Sequence, residues 1–147
     1  QRSCLLCLNF KSLITLMDSL KSWGIHYISN REIAPNDAVM FDIDDTLIFT
    51  NGEPNKPIIE LLHEALDMTY KIIIITARPP LDHNIERTIK QLYEYGIPYD
   101  YIGFTSPLTK GIMKQQLPYN FILSVGDMPT DLTDSEHVLN ISNFFHS

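Results

Sequence analysis

The sequence predicts an α/β protein built on a central, mostly parallel sheet covered by helices on both faces. Three observations lead there. First, "AVMF" from Ala38, "IIII" from Ile72 and "FILSV" from Phe121 are short apolar runs of strand length, the pattern of strands buried on both faces. Second, stretches of helical period separate them, so strand and helix alternate along the chain. Third, the strands lead into Asp42, Thr76 and Asp127. Right-handed crossovers would bring those three polar ends to one edge of the sheet, where ligands bind in open α/β folds.

The elements follow in order. "NFKSLITLMDSLKSWG" places Phe10, Leu13, Ile14, Met17, Leu20 and Trp23 at helical spacing, with Gly24 as its expected stop. The polar segment "SNREIAPND" leads to the first strand, Ala38 to Phe41. "NGEPNKP" has turn chemistry, and Pro57 can open the helix "PIIELLHEALDM". The second strand is Ile72 to Ile75, and "RPPLDHN" breaks the chain before the helix "NIERTIKQLYEYG", ending near Gly96. "YDYIGF" reads as a strand. Thr109 is placed to cap a short helix, "KGIMKQQL", ahead of Pro118. "FILSV" and "HVLNI" complete the sheet. Residues 1–35 form an N-terminal helical segment packing on the core, and 36–147 form the core itself, within a single domain.

The bulk numbers narrow the classes. A chain of 147 residues with 44% hydrophobic and 20% charged residues is an ordinary globular protein of one domain. Its formal charge of −7 opposes broad binding to nucleic acid or anionic membrane, though not recognition of one phosphate in a local basic pocket. No apolar run approaches the ~20 residues of a membrane span. Cys4 and Cys7 have C-x-x-C spacing, but no second pair or nearby histidine completes a zinc set, and they read as two plain thiols. The segment lacks the basic and apolar regions of a signal peptide, which points to a cytoplasmic protein. Because the sequence begins at Gln1 rather than Met, export stays open.

The chemistry concentrates in "AVMFDIDDTLIFT", where a buried strand meets Asp42, Asp44 and Asp45 within four positions. Crowded carboxylates repel one another and lose hydration, so the cluster needs compensation. Asp42, Asp44 and Asp127 together offer hard oxygen ligands of the kind Mg²⁺ takes, alongside waters and a phosphate oxygen. A calcium-loop reading of "DIDDTLIFTNGE" fails because Leu47 stands at the sixth position, where a glycine is needed. His26, His63, His83, His137 and His146 show no metal spacing.

At this point "DIDDTL" resembles the first motif, Asp-x-Asp-x-Thr, of the haloacid dehalogenase (HAD) superfamily. "IIIITARP" resembles its second, a strand ending in Thr or Ser, and "GDMPTD" its fourth. Lys110 in "LTKGIMKQQL" matches the lysine of the third. The likeness runs from about Ala38 to the C-terminus. Within the superfamily, "ITARP…NIERTIKQLYEYGIPYD" and "ILSVGDMPTDL" are most similar to acid phosphatases of the class B and plant vegetative-storage type, with Ala77 where a glycine is common there.

The resemblance implies a three-layer Rossmann-like fold, HAD-like, and a Mg²⁺-dependent phosphomonoesterase. Asp42 would be the nucleophile and form an aspartyl-phosphate. Asp44 would protonate the leaving alcohol and then deprotonate water, which requires a proton held there by burial or by neighbours. Thr76 and Lys110 would bind phosphoryl oxygens, with Ala77 and Arg78 beside them. Arg78 would either contact substrate phosphate or pair with an acid. Asp42, Asp127 and the backbone carbonyl of Asp44 would bind the metal, with Asp131 as ligand or supporting partner. Lys114, one turn after Lys110, competes for the lysine role but reads as solvated. Asp45 reads as a turn or capping residue, and Thr46 as structural.

Only a turn and one helix fit between Thr46 and Lys71, and only one helix and one strand between Arg78 and Lys110, so no sizeable cap domain is expected. The site should be open unless the N-terminal helix or a second copy of the chain covers it. An open site suits a phosphomonoester on an accessible molecule, a nucleotide or a macromolecule. The rival readings are a phosphotransferase of the same fold and a non-catalytic HAD-fold binding protein.

Overall fold

A computed structural model describes residues 10–141. Cys4, Cys7 and His146 lie outside them. The chain forms helix α1 (Phe10–Ile28), strand β1 (Asp37–Phe41), α2 (Lys56–Asp67), β2 (Lys71–Thr76), α3 (Asp82–Glu94), β3 (Tyr101–Phe104), α4 (Lys110–Gln116), β4 (Asn120–Gly126) and β5 (His137–Asn140). Single 3₁₀ turns at Pro107–Thr109 and Pro129–Asp131 precede α4 and follow β4. All pairings are parallel, in the order β3-β2-β1-β4-β5. The expected sheet was mostly parallel; among the described residues it is wholly so.

That order places the switch point between β1 and β4. The chain winds outward from β1 through β2 to β3, then returns across the sheet to β4. Period-two alternation sorts the strand side chains between two apolar clusters. Val39, Phe41, Ile72 and Ile74 join the larger one, with Met17, Leu61 and Leu62 from α1 and α2. Ala38, Met40, Ile73 and Ile75 join the smaller one, against which Met113 and Leu117 of the α4 region pack. A register shift between Ala38 and Val39 lets β4 insert an extra residue, Ile122, between the partners Phe121 and Leu123.

Two local expectations change. Gly24 does not stop α1, which continues to Ile28. The glycine serves helix packing instead, because a Cβ there would lie 2.6 Å from Leu61 Cδ2 of α2. Thr109 occupies the N-cap position of α4, but its side chain makes no cap bond. Its hydroxyl turns back to Thr105 and Ser106, closing the preceding 3₁₀ turn. Among the described residues, no helix is long and apolar enough to cross a membrane, and no cap domain interrupts the core.

The link from α1 to β1 is tied down by polar contacts. Asp37 accepts hydrogen bonds from Arg31 Nη1 (3.1 Å), the Ala34 amide (2.9 Å) and Asn120 Nδ2 of β4 (3.1 Å). Tyr70 donates to Ile28 O (2.7 Å) and anchors the end of α1. Burial alone would raise the Asp37 carboxyl, but these three donors outweigh it and hold the group below its ordinary value of 3.8. A carboxylate depressed in the fold contributes stability above its unfolded value and loses it as pH falls through the lowered one. Asp37→Asn is therefore expected to lower the unfolding midpoint at pH 7. The gap to wild type should narrow as pH drops below about 3.8 and close at lower pH, measured by denaturation across an acid series. A gap independent of pH would show that the charge of Asp37 plays no part.

Candidate active site

Asp42 leaves the end of β1 with its amide bonded to Val125 O of β4 (3.0 Å), which points the residue into the crevice at the switch point. Gly126 closes β4 beside it. A Cβ at Gly126 would stand 2.4 Å from both Cβ and Oδ2 of Asp131, so only glycine admits that carboxylate. Asp131 reaches back from the 3₁₀ turn and accepts from the Met128 amide through Oδ2 (3.0 Å). Its other oxygen takes Lys110 Nζ at 2.6 Å, and the same ammonium bonds Asp42 Oδ1 at 2.8 Å. Lys110 is 2% exposed, so this is a buried three-residue bridge between β1, α4 and the loop after β4.

Three carboxylates gather here: oxygens of Asp42, Asp127 and Asp131 all lie within 4.8 Å of one another, and the Lys110 ammonium bonds two of the three, Asp42 and Asp131. Burial and then the charge of Asp131 push the Asp42 carboxyl well above the ordinary range, against the pull of Lys110. Burial works to lower Lys110, but Asp42 and Asp131 outweigh it and raise the group. Burial and the crowding of carboxylates around Lys110 together account for both shifts. A divalent cation fits this donor set on chemical grounds, since three clustered carboxylates are hard oxygen ligands and short of positive charge.

The remaining residues divide. Thr76 is buried at the end of β2 and accepts from the Arg78 amide (3.1 Å), which leaves its hydroxyl proton to donate. Ala77 lines a cavity of about 210 Å³ together with Asp42, Asp44, Lys110, Asp127 and Thr130. Of the two means expected to hold a proton on Asp44, burial or its neighbours, burial is not seen. Its side chain is 59% exposed and bonded by both Nη2 (2.8 Å) and Nε (3.2 Å) of Arg78, outside the carboxylate cluster. Of the two roles open to Arg78, pairing with an acid is the one seen. Asp45 takes a left-handed conformation (φ 57°) and accepts from the amide and hydroxyl of Thr50, a turn role as expected. Thr46 is buried, and its carbonyl accepts from Asn55. No α1 residue lines the cavity.

Lys114 overturns its expectation. It is 2% exposed rather than solvated, and Nζ donates to Ser124 Oγ (2.9 Å), Asp131 O (3.0 Å), Ser135 Oγ (3.1 Å) and Thr133 O. The Phe121 ring lies 5.2 Å away. Burial pushes this ammonium down to about 8, against the nearby Asp134 and Asp131. Lys110 thus faces the carboxylates, while Lys114 fastens the backbone of the loop that brings Asp131 to them. The sequence carries half of that signal, since residues four apart share one helix face, but not the acceptors that Lys114 meets there. Thr130 was also missed. The residue lines the cavity, and its hydroxyl is buried with no hydrogen-bond partner among the described residues.

No family model and no curated protein matches this chain. Solved structures do. A chain of the Pnkp1/Rnl/Hen1 complex superposes with a TM-score of 0.60 at 21% identity, covering 71% of this chain and 43% of its own. The class C acid phosphatase from Bacillus anthracis gives 0.59 at 18% identity, covering 80% of this chain and 65% of that one. Its tungstate-bound form gives 0.57 at 17% identity, covering 84% and 65%. This chain therefore matches between 43% and 65% of the length of these neighbours. The likeness establishes the fold alone, a Rossmann-like α/β domain with a parallel sheet.

The glycine contact yields a direct test. Gly126→Ala should drive Asp131 off Lys110, costing about 1–3 kcal/mol through overpacking. It should also shrink the rise in melting temperature on adding Mg²⁺, read by thermal denaturation with and without the ion. A shift equal to that of wild type would show that the Gly126–Asp131 approach does not shape the carboxylate cluster.

Proposed function

We propose that this chain is a Mg²⁺-dependent phosphomonoester hydrolase acting through an aspartyl-phosphate on Asp42, related in kind to HAD acid phosphatases of the class B and plant type. The observation that carries the reading is the bridge Asp42–Lys110–Asp131 at the switch point, with Asp44 two residues beyond Asp42 on the rim of the same cavity. The named activity of the class C acid phosphatase that shares the fold agrees with it.

The reaction needs a nucleophile in line with the leaving oxygen, neutralised phosphoryl charge and a proton for the leaving group. Asp42 attacks phosphorus through the carboxylate oxygen not held by Lys110; the P–O bond to the leaving group breaks, and Asp44 gives that oxygen its proton. Water then attacks phosphorus, Asp44 takes its proton, and the bond to Asp42 breaks to release inorganic phosphate. Lys110 keeps Asp42 oriented and draws phosphoryl charge, and the free hydroxyl proton of Thr76 serves a second oxygen. Asp44 must leave Arg78 and take up a proton from solvent before it can serve the leaving group, so the ion pair is a resting position. Mg²⁺, held by Asp42 and Asp127 with the Asp44 carbonyl and Asp131 in support, would supply the positive charge that this pocket lacks and the phosphoryl group requires.

The test is hydrolysis of an aryl phosphate with Mg²⁺ and with chelator, for wild type and Asp42→Asn. We expect metal-dependent turnover that falls at least about 10³-fold in the variant. Metal-independent activity that survives in Asp42→Asn would overturn the mechanism. If no sample turns over, binding of a phosphate-mimicking fluoride at Asp42 separates a selective phosphatase from a non-catalytic binding protein.

A further inference from the structure

Beside the catalytic cavity lies a second one of about 240 Å³, lined by Arg78, Pro79, Asn84, Arg87, Thr88 and Gln91. Four of these, Asn84, Arg87, Thr88 and Gln91, stand three and four residues apart and form one face of α3. Arg78 lines the second cavity and is tied to the catalytic one through Asp44. Its Nε and Nη2 hold Asp44, which lines the catalytic side, while Nη1 donates to Thr88 Oγ1 (3.0 Å) and Gln91 Oε1 (2.9 Å) on the other.

That arrangement sets the polarity of the second cavity. Thr88 and Gln91 spend an acceptor on Arg78, so the Thr88 hydroxyl proton and the Gln91 amide nitrogen remain as donors. Among the described residues, the Arg87 guanidinium donates only to Asn84 Oδ1 (3.2 Å), leaving most of its five N–H groups for a ligand. No carboxylate lines the cavity. The acids of α3 nearby in sequence, Asp82 and Glu86, are exposed and outside it. A donor-rich, cationic recess on a chain of net charge −7 is suited to an anion.

Position then identifies whose anion it is. The proton donor faces the leaving oxygen, so the leaving group of a bound phosphomonoester lies on the Asp44 side, against Arg78. A further cavity of about 530 Å³, lined by Pro79, Pro80, Phe104 and Ser106 among others, has no charged side chain to meet an anion. We infer that the recess on the polar face of α3 is a substrate subsite for a second phosphate carried on the leaving group, with Arg87 as its chief contact. The preferred substrates are then small bisphosphorylated molecules. This rests on the phosphatase reading above and adds a substrate class to it.

The experiment compares kcat/KM for propanediol to hexanediol bisphosphates with that for the matching alkyl monophosphates, with Mg²⁺ present. Wild type should favour the bisphosphate by about tenfold to a hundredfold at the best spacer length, the range of a charge-assisted contact. Arg87→Met should bring that ratio close to one, Arg87→Lys should keep part of it, and Lys90→Met, an exposed change on the same helix outside the cavity, should preserve it. A ratio of two rates from one preparation is independent of the fraction folded. Hydrolysis with no preference at any spacer length, or a preference that survives Arg87→Met, overturns the subsite and leaves the phosphatase reading standing. A failure to hydrolyse either series overturns the subsite, and a failure of a phosphate-mimicking fluoride to bind at Asp42 then removes the phosphatase reading as well.

Discussion

Lys110, buried between Asp42 and Asp131, is the contact on which the rest of this structure depends. Three elements distant in sequence meet at its ammonium: the end of β1, the start of α4 and the loop that follows β4. A charge this deep is tolerated only with close partners, and the partners are tolerated only with the charge. Gly126 and Lys114 exist in service of that bridge. The glycine gives Asp131 the room to lie against β4, and Lys114 binds the loop carbonyls so that Asp131 cannot drift. The two lysines divide the work along one helix face, one meeting charge and the other meeting neutral oxygen.

The bridge leaves an excess of negative charge, and that imbalance links structure to chemistry. A fully compensated cluster would be inert, since neither a cation nor a phosphoryl group would find anything to stabilise there. The carboxyl of Asp42 is pushed up by burial and by Asp131, so its readiness to act depends on what enters the crevice. The open edge of the sheet makes this possible. Because the short segments after β1 and β2 build no cap, the crevice is walled, among the described residues, by side chains from strand ends, loops and the start of α4.

The frame was legible in the sequence because it rests on period and composition. Continuous apolar runs marked the buried strands, and the oxygen-bearing residues at their ends marked the edge to which the crossovers deliver them. What stayed hidden depends on three-dimensional approach. Gly24 has the local look of a helix stop, but the deciding neighbour is Leu61, 37 positions away in the chain. Thr109 looks like an ordinary cap until Thr105 and Ser106 claim its hydroxyl. Lys114 reads as a solvated lysine because its acceptors, the carbonyls of Asp131 and Thr133, carry no mark in a sequence.

Asp44 and Arg78 show the same limit at the site itself. The sequence places Asp44 two residues after Asp42, but not the state in which it waits. The structure has it clamped by a guanidinium that is itself anchored to α3 through Thr88 and Gln91. Asp44 is thereby tied to a helix that contributes little to the core, with Thr88 and Leu92 its buried residues. A helix held so lightly can have its face shaped by polar requirements rather than by packing, and Asn84, Arg87, Thr88 and Gln91 form such a face. In a domain without a cap, such a face is one of the few surfaces beside the reaction centre that is free of the core and therefore open to specialisation.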